Sequence, residues 1–448
     1  MRRTGAIALS TMAIGAVALA GCSAGESEQG PTITVMYEST DAFTALDDLF
    51  QKVKPVFEKA NPGVTVELQP IKAGDDDYKT KLQLAHRSAE TAPDVFYEDS
   101  YTVQADASAG YLLKLDDHLA DWPDWDQYSD AAKAAGDGGD GTYAVPLGLD
   151  TRVIWYSKPI LEAAGVTVPW QPTSWQDILD TAAKVKASAP DAVPFNMYIG
   201  TGMGEGAATS SILPLLLGTG DEFYDASSGK WVIGSQGQVD TLAFLEELYD
   251  KGYATTPQAA LDPNVWQVIL GEDFPQSRIG GAVEGSYLPS FWQAGGSYEW
   301  PSYEADLGVA LFPTQHGDGD RYVSVSGGWT LAVGANSDEP QLAFDFLAMA
   351  LSKENALAYA KQNSQLAARE DVAADPSYLA SNPFMDEVSA AVPYTHFRPS
   401  TVDYPQISIA LQKATEDVVV GGVSPQEASA AYDEAVIAIV GEENTTRR

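Results

Sequence analysis

Gly141–Val166 has the sequence GTYAVPLGLDTRVIWYSKPILEAAGV, and this stretch decides the fold. Within it, Val153–Tyr156 is a short run of β-branched and aromatic residues, which predicts a buried strand. Pro159–Gly165 starts with a proline and ends with a glycine, as a short helix does. The preceding Ala144–Gly148 is too apolar for a surface loop and too interrupted by Pro and Gly for a central strand. We therefore expect it to run buried between two bodies of the protein.

The folded part begins with a strand, a helix and a second strand. Thr32–Tyr37 alternates as a strand, Ala42–Lys59 has apolar residues at helical spacing, and Val64–Leu68 is the next strand. This order predicts an α/β fold whose ligand lies beyond the carboxyl ends of a largely parallel sheet. The polar residues at those ends are Glu38 and Ser39 after the first strand, and Glu98, Asp99 and Tyr101 after a strand at Asp94–Tyr97.

Helices and strands continue to alternate along the rest of the chain. Periodicity and end signals predict helices over 175–187, 207–217, 239–251, 341–351 and 425–440, and strands over 194–199 and 278–283. We find no internal repeat or low-complexity block. A chain of 448 residues is long enough for two lobes, each with its own core.

Acidic residues dominate the charge. The chain has 63 Asp and Glu against 26 Lys and Arg, for a formal net charge of −37. Such a charge favours solubility and argues against nucleic-acid binding, which needs clustered basic residues. Residues 1–21 combine Arg2 and Arg3 with a short apolar run that ends in small residues before Cys22, the one cysteine. This pattern predicts an export signal rather than a membrane-spanning helix.

Few residues are candidates for catalysis or metal binding. The four histidines are far apart and lack the spacing of a zinc site. Asp75–Asp77 and Asp318–Asp320 do not fit the EF-hand loop, and helix caps or turns explain them. Gly202–Ala207 satisfies the relaxed dinucleotide fingerprint, but Glu205 would repel a pyrophosphate, which favours a ligand-facing or hinge-side loop. We expect no enzyme activity, no cofactor and no metal.

Three motifs resemble one known family in their order and spacing. They are APDVFY at Ala92–Tyr97, the segment Tyr143–Val166, and PTSW at Pro172–Trp175. Together they resemble the extracellular solute-binding proteins of bacterial ABC importers, above all the maltose-, trehalose- and oligosaccharide-binding members. The resemblance extends from about Ile33 to about Val440. It implies a two-lobed periplasmic-binding-protein fold, in which each lobe is a mostly parallel sheet flanked by helices and a hinge joins the lobes around the ligand.

The resemblance also implies how the chain is divided. Leu19–Cys22 looks like a lipobox, so Cys22 is expected to carry a lipid anchor, and Leu307–Phe312 resembles a second crossing between lobes. The implied division is a signal peptide at 1–21, an acidic tether at 22–31, an N-terminal lobe of 32–145 with 313–352, a C-terminal lobe of 146–312 with 353–440, and a tail at 441–448.

Aromatic residues favour a sugar ligand. The chain has 10 Trp and 21 Tyr, and a sugar site needs flat aromatic platforms beside polar groups that satisfy hydroxyls. By position, the resemblance implies that Tyr156 stacks on a sugar ring and that Asp150 accepts hydroxyl hydrogens, while Trp155 serves packing. Tyr287 matches a platform that follows Asn-Gly-Pro in the family, where this chain has Glu284-Gly-Ser.

Other positions carried over from the family depart further from its pattern. Glu98 and Tyr101 stand where the maltose-binding members have an aromatic residue and an aspartate, so maltose itself is not implied. Arg398 resembles a cleft-facing arginine of the trehalose and oligosaccharide members, and its alternative role is an interlobe ion pair with Asp403 or Glu98. The remaining candidate ligand-binding residues are Glu38, Ser39, Asp99, Glu284 and Trp329.

The sequence thus predicts a monomeric, lipid-anchored receptor outside the cell membrane. It would close on a di- or oligosaccharide and deliver it to the permease subunits of an importer. Two alternatives stay open. One is a receptor for a non-sugar solute such as a polyamine, a glycerophosphodiester or a peptide. The other is an anchored glycoside hydrolase, which would need two carboxyl groups about 5 to 10 Å apart.

Overall fold

Two β-sheets, one in each of two lobes, organise the chain. The computed structural model describes residues 30–448, apart from the side chains of residues 75, 76 and 131. The predicted signal peptide, Cys22 and most of the tether lie outside the described residues. Within the described part, no helix is long and apolar enough to span a bilayer.

The sheet of the N-terminal lobe has five strands, in the order Thr65–Ile71, Thr32–Glu38, Val95–Asp99, Gly328–Val333 and Ala144–Leu149. The first three run parallel, as predicted, and Gly328–Val333 is antiparallel to both of its neighbours. Helices Ala45–Ala60 and Pro340–Ala350 bury their apolar faces in the core of this lobe. The carboxyl ends of the parallel strands therefore meet at one edge, as the βαβ order requires.

Ala144–Leu149 is buried and is not a central strand, as expected. It is an edge strand that pairs with Gly328–Val333. Pro146 is tolerated there because an edge strand has one side whose N–H groups need no partner. The chain leaves this sheet after Leu149 and enters the other lobe at Arg152.

The sheet of the C-terminal lobe is antiparallel, so the expectation of mostly parallel sheets is wrong for this lobe. Arg152–Ser157 is its central strand, between Gly281–Gly285 and Leu307–Ala310. The predicted strand at 194–199 is irregular. It meets the neighbouring segment only at the parallel bridges Val193–Ile279 and Asn196–Ala282, and Pro194 lacks an N–H to extend the ladder.

The second crossing lies later in the chain than expected. Residues 313–323, assigned above to the N-terminal lobe, lie against the C-terminal lobe, where Gln315 N donates to Gly218 O at 2.8 Å and Val323 is buried. Ser324–Ser326 then pairs with Thr395–Phe397, and the chain enters the N-terminal sheet at Gly328. Leu307–Ala310, which resembled this crossing, is instead a strand of the C-terminal lobe.

The end of the chain is part of the C-terminal lobe. Helices Tyr404–Val419 and Pro425–Val440 are buried in its core, and Ser424 caps the second helix. Thr445–Arg447 runs parallel to Lys230–Ile233, which also pairs with Tyr224–Asp225. Residues 441–448 are therefore not the tail that we expected, because their backbone extends a three-stranded sheet.

Shorter helices and turns connect these elements. Lys353–Gln362, expected in the C-terminal lobe, packs partly on the N-terminal one, and Lys52 Nζ lies 3.1 Å from Glu354 Oε1. The remaining helical segments are Asp75–His86, Val103–Ser108, Asp116–Ala120, Pro123–Gln127, Asp130–Lys133, Ala134–Gly136, Lys158–Ala163, Trp175–Ser188, Thr201–Met203, Glu205–Ala207, Ala208–Ile212, Leu213–Gly218, Gln236–Asp250, Pro257–Ala260, Val265–Val268, Ile269–Asp273, Pro289–Trp292, Tyr303–Asp306, Glu370–Ala373, Pro376–Leu379, Met385–Ser389, Val392–Tyr394 and Glu442–Asn444.

Candidate ligand-binding cleft between the lobes

Arg398 joins the two lobes through an ion-pair group that we call the ionic contact. Its Nη2 lies 2.7 Å from Asp99 Oδ1, at the end of an N-terminal strand, and its Nη1 lies 3.0 Å from Glu205 Oε2, at the start of a C-terminal helix. The Arg398 side chain is only 3% exposed. Burial opposes the charge, but Asp99 and Glu205 outweigh it and hold the pKa of the guanidinium well above its usual value.

Tyr101 lies between two cations beside the ionic contact. Its ring centroid is 4.4 Å from Arg398 Cζ and 4.5 Å from Lys79 Nζ, which is cation–π geometry. Lys79 Nζ also donates to Tyr101 Oη at 2.9 Å and lies 3.5 Å from Asp99 Oδ2. The edge of Tyr404 meets the Tyr101 ring with the centroids 5.2 Å apart. Contacts from both lobes therefore fix this tyrosine.

Glu205 owes its position to the glycine-rich loop that we noticed in the sequence. Gly204 precedes it with φ of 56°, a left-handed conformation that favours glycine. The Glu205 carboxylate also accepts from Tyr404 Oη at 3.0 Å and from Ser408 Oγ. The loop holds the Glu205 carboxylate at the interface between the lobes. This position fits the expectation that Gly202–Ala207 is a ligand-facing or hinge-side loop.

Four rings from both lobes form a second interlobe group, the aromatic contact. Trp329 of the N-terminal sheet lies with its ring centroid 5.0 Å from that of Phe43 and 5.8 Å from that of Tyr287. Phe291, on the C-terminal side, lies 5.9 Å from Phe43 and 6.4 Å from Tyr287. Phe43, Trp329 and Tyr287 are only partly buried, so part of each side chain is open to solvent.

Asp150 and Arg152 form a buried pair where the chain first crosses between lobes. Asp150 Oδ2 lies 2.5 Å from Arg152 Nη1, and its Oδ1 accepts from Gly327 N at 2.5 Å. Gly327 belongs to the second crossing, so this carboxylate ties two hinge segments together. Asp150 is 4% exposed, and these contacts support a structural role at the hinge.

Glu284 lies buried close to the aromatic contact. Its Oε1 accepts from Tyr198 Oη, and Trp266 also donates to the carboxyl group. Burial raises its pKa to about 7, although Tyr198 and the nearby Arg152 guanidinium act in the opposite direction. Arg152 Cζ also lies 5.7 Å from the Tyr287 ring centroid. The same guanidinium therefore acts on Glu284 and contacts the ring of Tyr287.

Glu98 faces its own lobe rather than Arg398. Thr102 Oγ1 donates to Glu98 Oε1, while Oε2 has no partner among the described residues. Burial first, and the charge of Asp106 second, raise the pKa of Glu98 well above its usual value. The ion pair that we considered for Arg398 therefore exists, but Asp99 and Glu205 are its partners in place of Glu98 or Asp403.

The structure does not bring Tyr156 to the cleft. It is 1% exposed in the core of the C-terminal lobe, and its Oη accepts from Trp170 N at 3.0 Å. Trp155, on the opposite face of the strand, is also buried, as predicted, and donates to Gly285 O at 3.1 Å. Both faces of this central strand are covered, so an alternating pattern cannot aim either ring at a ligand.

Glu38 and Ser39 lie at the end of the first strand, as predicted. Ser39 N donates to Ile71 O at 3.0 Å, which continues the pairing of the strands. The structure thus gathers Asp99, Tyr101 and Arg398 in one group and Tyr287 and Trp329 in another.

Several interface residues were missed in the sequence. Phe43, Phe291, Lys79 and Tyr404 carry no local motif, since each becomes significant only through its partner in the other lobe or on another element. For Glu205 the sequence did contain an indication, because Glu205 lies in the glycine-rich loop that was already a candidate for a ligand-facing segment.

Two open cavities adjoin these groups, and residues of both lobes line each of them. One of about 250 Å³ lies beside the aromatic contact and is lined by Ala42, Thr44, Ser290, Gln293 and Gln362, among others. The other, of about 380 Å³, is lined by Arg398 together with Gln104, Asp137, Phe223, Tyr224 and His396, among others. Ligand space between lobes is expected for such clefts.

A two-lobed α/β chain with a lined interlobe cleft is the architecture of a solute receptor. The family model of the bacterial extracellular solute-binding proteins matches residues 38–357. The chain belongs to this family, which confirms the resemblance seen in the sequence. The two-lobed α/β fold is likewise confirmed by solved structures.

Among known proteins, the chain is similar to a probable ABC transporter-binding protein of Deinococcus radiodurans, with 25% identity over 63% of this chain and 65% of the relative. It is also similar to the diacetylchitobiose-binding protein DasA of Streptomyces coelicolor, with 27% identity over 63% and 62%. The matches thus span less than two thirds of these curated relatives. The maltose-bound MalE3 structure of T. maritima has a TM-score of 0.77 at 21% identity, covering 91% of this chain and 100% of that one.

Proposed function

We propose that the protein is an extracytoplasmic receptor that captures a carbohydrate, a di- or oligosaccharide, between its lobes for an ABC importer. The observation that supports this most strongly is the aromatic contact. Trp329 and Phe43 on one lobe face Tyr287 and Phe291 on the other, so rings from both sides can hold the apolar face of a sugar. Membership of the solute-binding family and the names of two relatives, which bind diacetylchitobiose and maltose, support the same reading.

Capture would work through closure. A ligand that contacts both lobes gains its full set of interactions only when the lobes are together, so it shifts the population toward the closed form. The closed form would then dock on permease subunits, with Cys22 lipidated and holding the receptor at the membrane. In this proposal the protein binds its carbohydrate as a monomer and does not cleave it.

A thermal-shift screen of the chain without residues 1–22 tests the proposal. Ligand at 100 times its dissociation constant stabilises a protein by about 2.7 kcal/mol, which raises the melting temperature by a few degrees. We expect one group of saccharides to do this and Trp329→Ala to abolish it. The matched control is Trp125→Ala, a tryptophan of the same lobe that packs on Tyr128 away from the aromatic contact.

Two results would contradict the proposal. If polyamines, glycerophosphodiesters or peptides shift the melt while every saccharide is silent, the receptor has another ligand class. If chromatography shows that an incubated oligosaccharide is cut, the protein is a hydrolase.

A further inference from the structure

The cations at the interface are already paired with carboxylates of the same chain. Arg398 is held by Asp99 and Glu205, Arg152 lies 2.5 Å from Asp150, and Lys79 contacts Asp99. These three cationic side chains are 3%, 6% and 16% exposed, respectively. None of them is a free surface charge that could turn toward an incoming anion.

Each of the three guanidinium nitrogens of Arg152 also donates a hydrogen bond. Its Nε donates to Ser210 Oγ at 3.0 Å and its Nη2 to Thr209 Oγ1 at 3.1 Å, while Nη1 binds Asp150. Among the described residues, the buried Nε is the one Arg398 nitrogen without a hydrogen-bond partner, since Nη1 and Nη2 each donate to a carboxylate. A carboxylate is bound best by a two-pronged guanidinium face, and each such face of Arg398 includes a nitrogen that already binds Asp99 or Glu205.

An anion that bound a two-pronged face of Arg398 would compete with Asp99 or Glu205 for it. A carboxylate displaced in this way would stay buried at the interface without the guanidinium, which is strongly unfavourable. Glu284 and Glu98 are further buried carboxyl groups, at 1% and 3% exposure, and their raised pKa values favour the neutral form. The groups around the cleft therefore offer a negative ligand no cation that lacks a carboxylate partner, and they tolerate a neutral or positive one.

We propose that this receptor selects uncharged or amino-bearing sugars and rejects acidic ones such as uronic acids, and that Asp99 and Glu205 set this preference by neutralising Arg398. The inference rests on the proposed carbohydrate function. Asp99 and Glu205 act through Arg398 and are positioning residues in this scheme.

Matched disaccharides test the preference by calorimetry. The probes are maltose, cellobiose and diacetylchitobiose, the first two each paired with the counterpart that has a carboxylate at C6 of the non-reducing ring, and the third paired with chitobiose, its free-amine form. We expect any neutral disaccharide that binds to lose at least about tenfold in affinity on oxidation to the uronide, and the amine not to be penalised in this way.

Removing the charge of one carboxylate partner of Arg398 should change the ratio between the affinity for a neutral disaccharide and the affinity for its uronide. In Asp99→Asn and in Glu205→Gln we expect the uronide penalty to shrink to about threefold or less, because one negative charge beside Arg398 is removed while the guanidinium stays charged. Glu354→Gln, which removes an exposed carboxylate at the surface, should leave the ratio unchanged. Circular dichroism establishes which variants fold, and either folded variant suffices.

The outcomes separate the two proposals. If the uronide binds the wild type as tightly as the neutral sugar, the charge preference is overturned while the carbohydrate receptor stands. If the penalty persists in both variants, Asp99 and Glu205 do not set it. If no saccharide of either kind binds, the carbohydrate function itself fails.

Discussion

The ionic contact and the aromatic contact hold the same two lobes by different physics. Arg398 is almost wholly buried between carboxylates at 2.7 and 3.0 Å, whereas Trp329, Phe43 and Tyr287 are partly exposed and meet at ring distances of 5.0 to 5.8 Å. Buried charges have few alternative partners, so they fix geometry. Half-exposed rings can replace their contacts with one another by contacts with a ligand at a small cost in free energy. The first group therefore sets the alignment of the lobes and the second is suited to exchange with ligand.

The largest expected effect comes from removing the charge of Arg398. Arg398→Met leaves Glu205 buried without this cation and Asp99 with Lys79 alone, at 3.5 Å, and breaking such a buried pair costs about 3–5 kcal/mol. Denaturant unfolding measures this loss. The control is Lys52→Met, whose ion pair with Glu354 is exposed and should contribute less than about 1 kcal/mol. Equal losses in the two variants would show that the ionic contact is no stronger than a surface pair.

The next largest effect is a dependence of the free energy of unfolding on pH, caused by Glu284 beside the aromatic contact. The pKa of Glu284 is raised to about 7 from a reference of 4.5, so the unfolded state releases its proton first. Its contribution to stability is fully present below pH 4.5 and is lost as the pH rises through about 7, by roughly 3 kcal/mol in total.

A comparison of stability against pH for the wild type and for Glu284→Gln isolates the contribution of Glu284, because the other buried groups titrate in both proteins. His86, whose pKa burial lowers to about 4, acts in the opposite direction. The wild type should lose stability relative to Glu284→Gln between pH 5 and pH 8. Parallel pH profiles for the two proteins would mean that Glu284 does not titrate as its burial requires.

Removing a ring should reduce stability less than either charge effect. Tyr287→Ala loses contacts with Trp329 and Phe291, at about 0.5–1.5 kcal/mol for each aromatic pair. Its effect on the affinity for the bound saccharide should be larger, at about tenfold or more by calorimetry. Tyr287→Phe keeps the ring and should keep most of the affinity. An equal loss in Tyr287→Phe would assign the role to the hydroxyl instead.

The smallest expected effect is the effect of salt on stability, which should differ between the buried ionic contact and an exposed surface pair. Raising NaCl from about 0.05 to 1 M screens exposed pairs but reaches buried ones poorly. The stability difference between wild type and Arg398→Met should therefore change by less than about 0.5 kcal/mol, while the small difference for Lys52→Met should vanish. A strong salt dependence at Arg398 would mean that water enters the ionic contact.

Local sequence patterns predicted the elements better than the interface. The helix Pro425–Val440 begins and ends where expected, because Ser424, Pro425 and Gly441 mark its ends. Asp99 was found because it lies at a strand end, and the carboxyl ends of parallel strands meet at one edge. Position along a strand is a local property that the sequence carries.

Pairing across the interface was not local and escaped prediction. The partner of Arg398 could not be chosen among several nearby acidic residues, because the choice depends on how the lobes meet. Tyr156 was misplaced for a related reason. Alternation shows that Trp155 and Tyr156 face opposite sides, but it cannot show that both sides of the strand are covered.

Gly328–Val333 lies between two strands that precede it by far in the sequence, Val95–Asp99 and Ala144–Leu149. While the chain is being synthesised, those two strands must wait for a partner that the ribosome delivers about 180 to 230 residues later. Ala144–Leu149 has no other neighbour in the sheet, so it cannot settle before then. Completion of the N-terminal lobe is thereby delayed until most of the protein has been made.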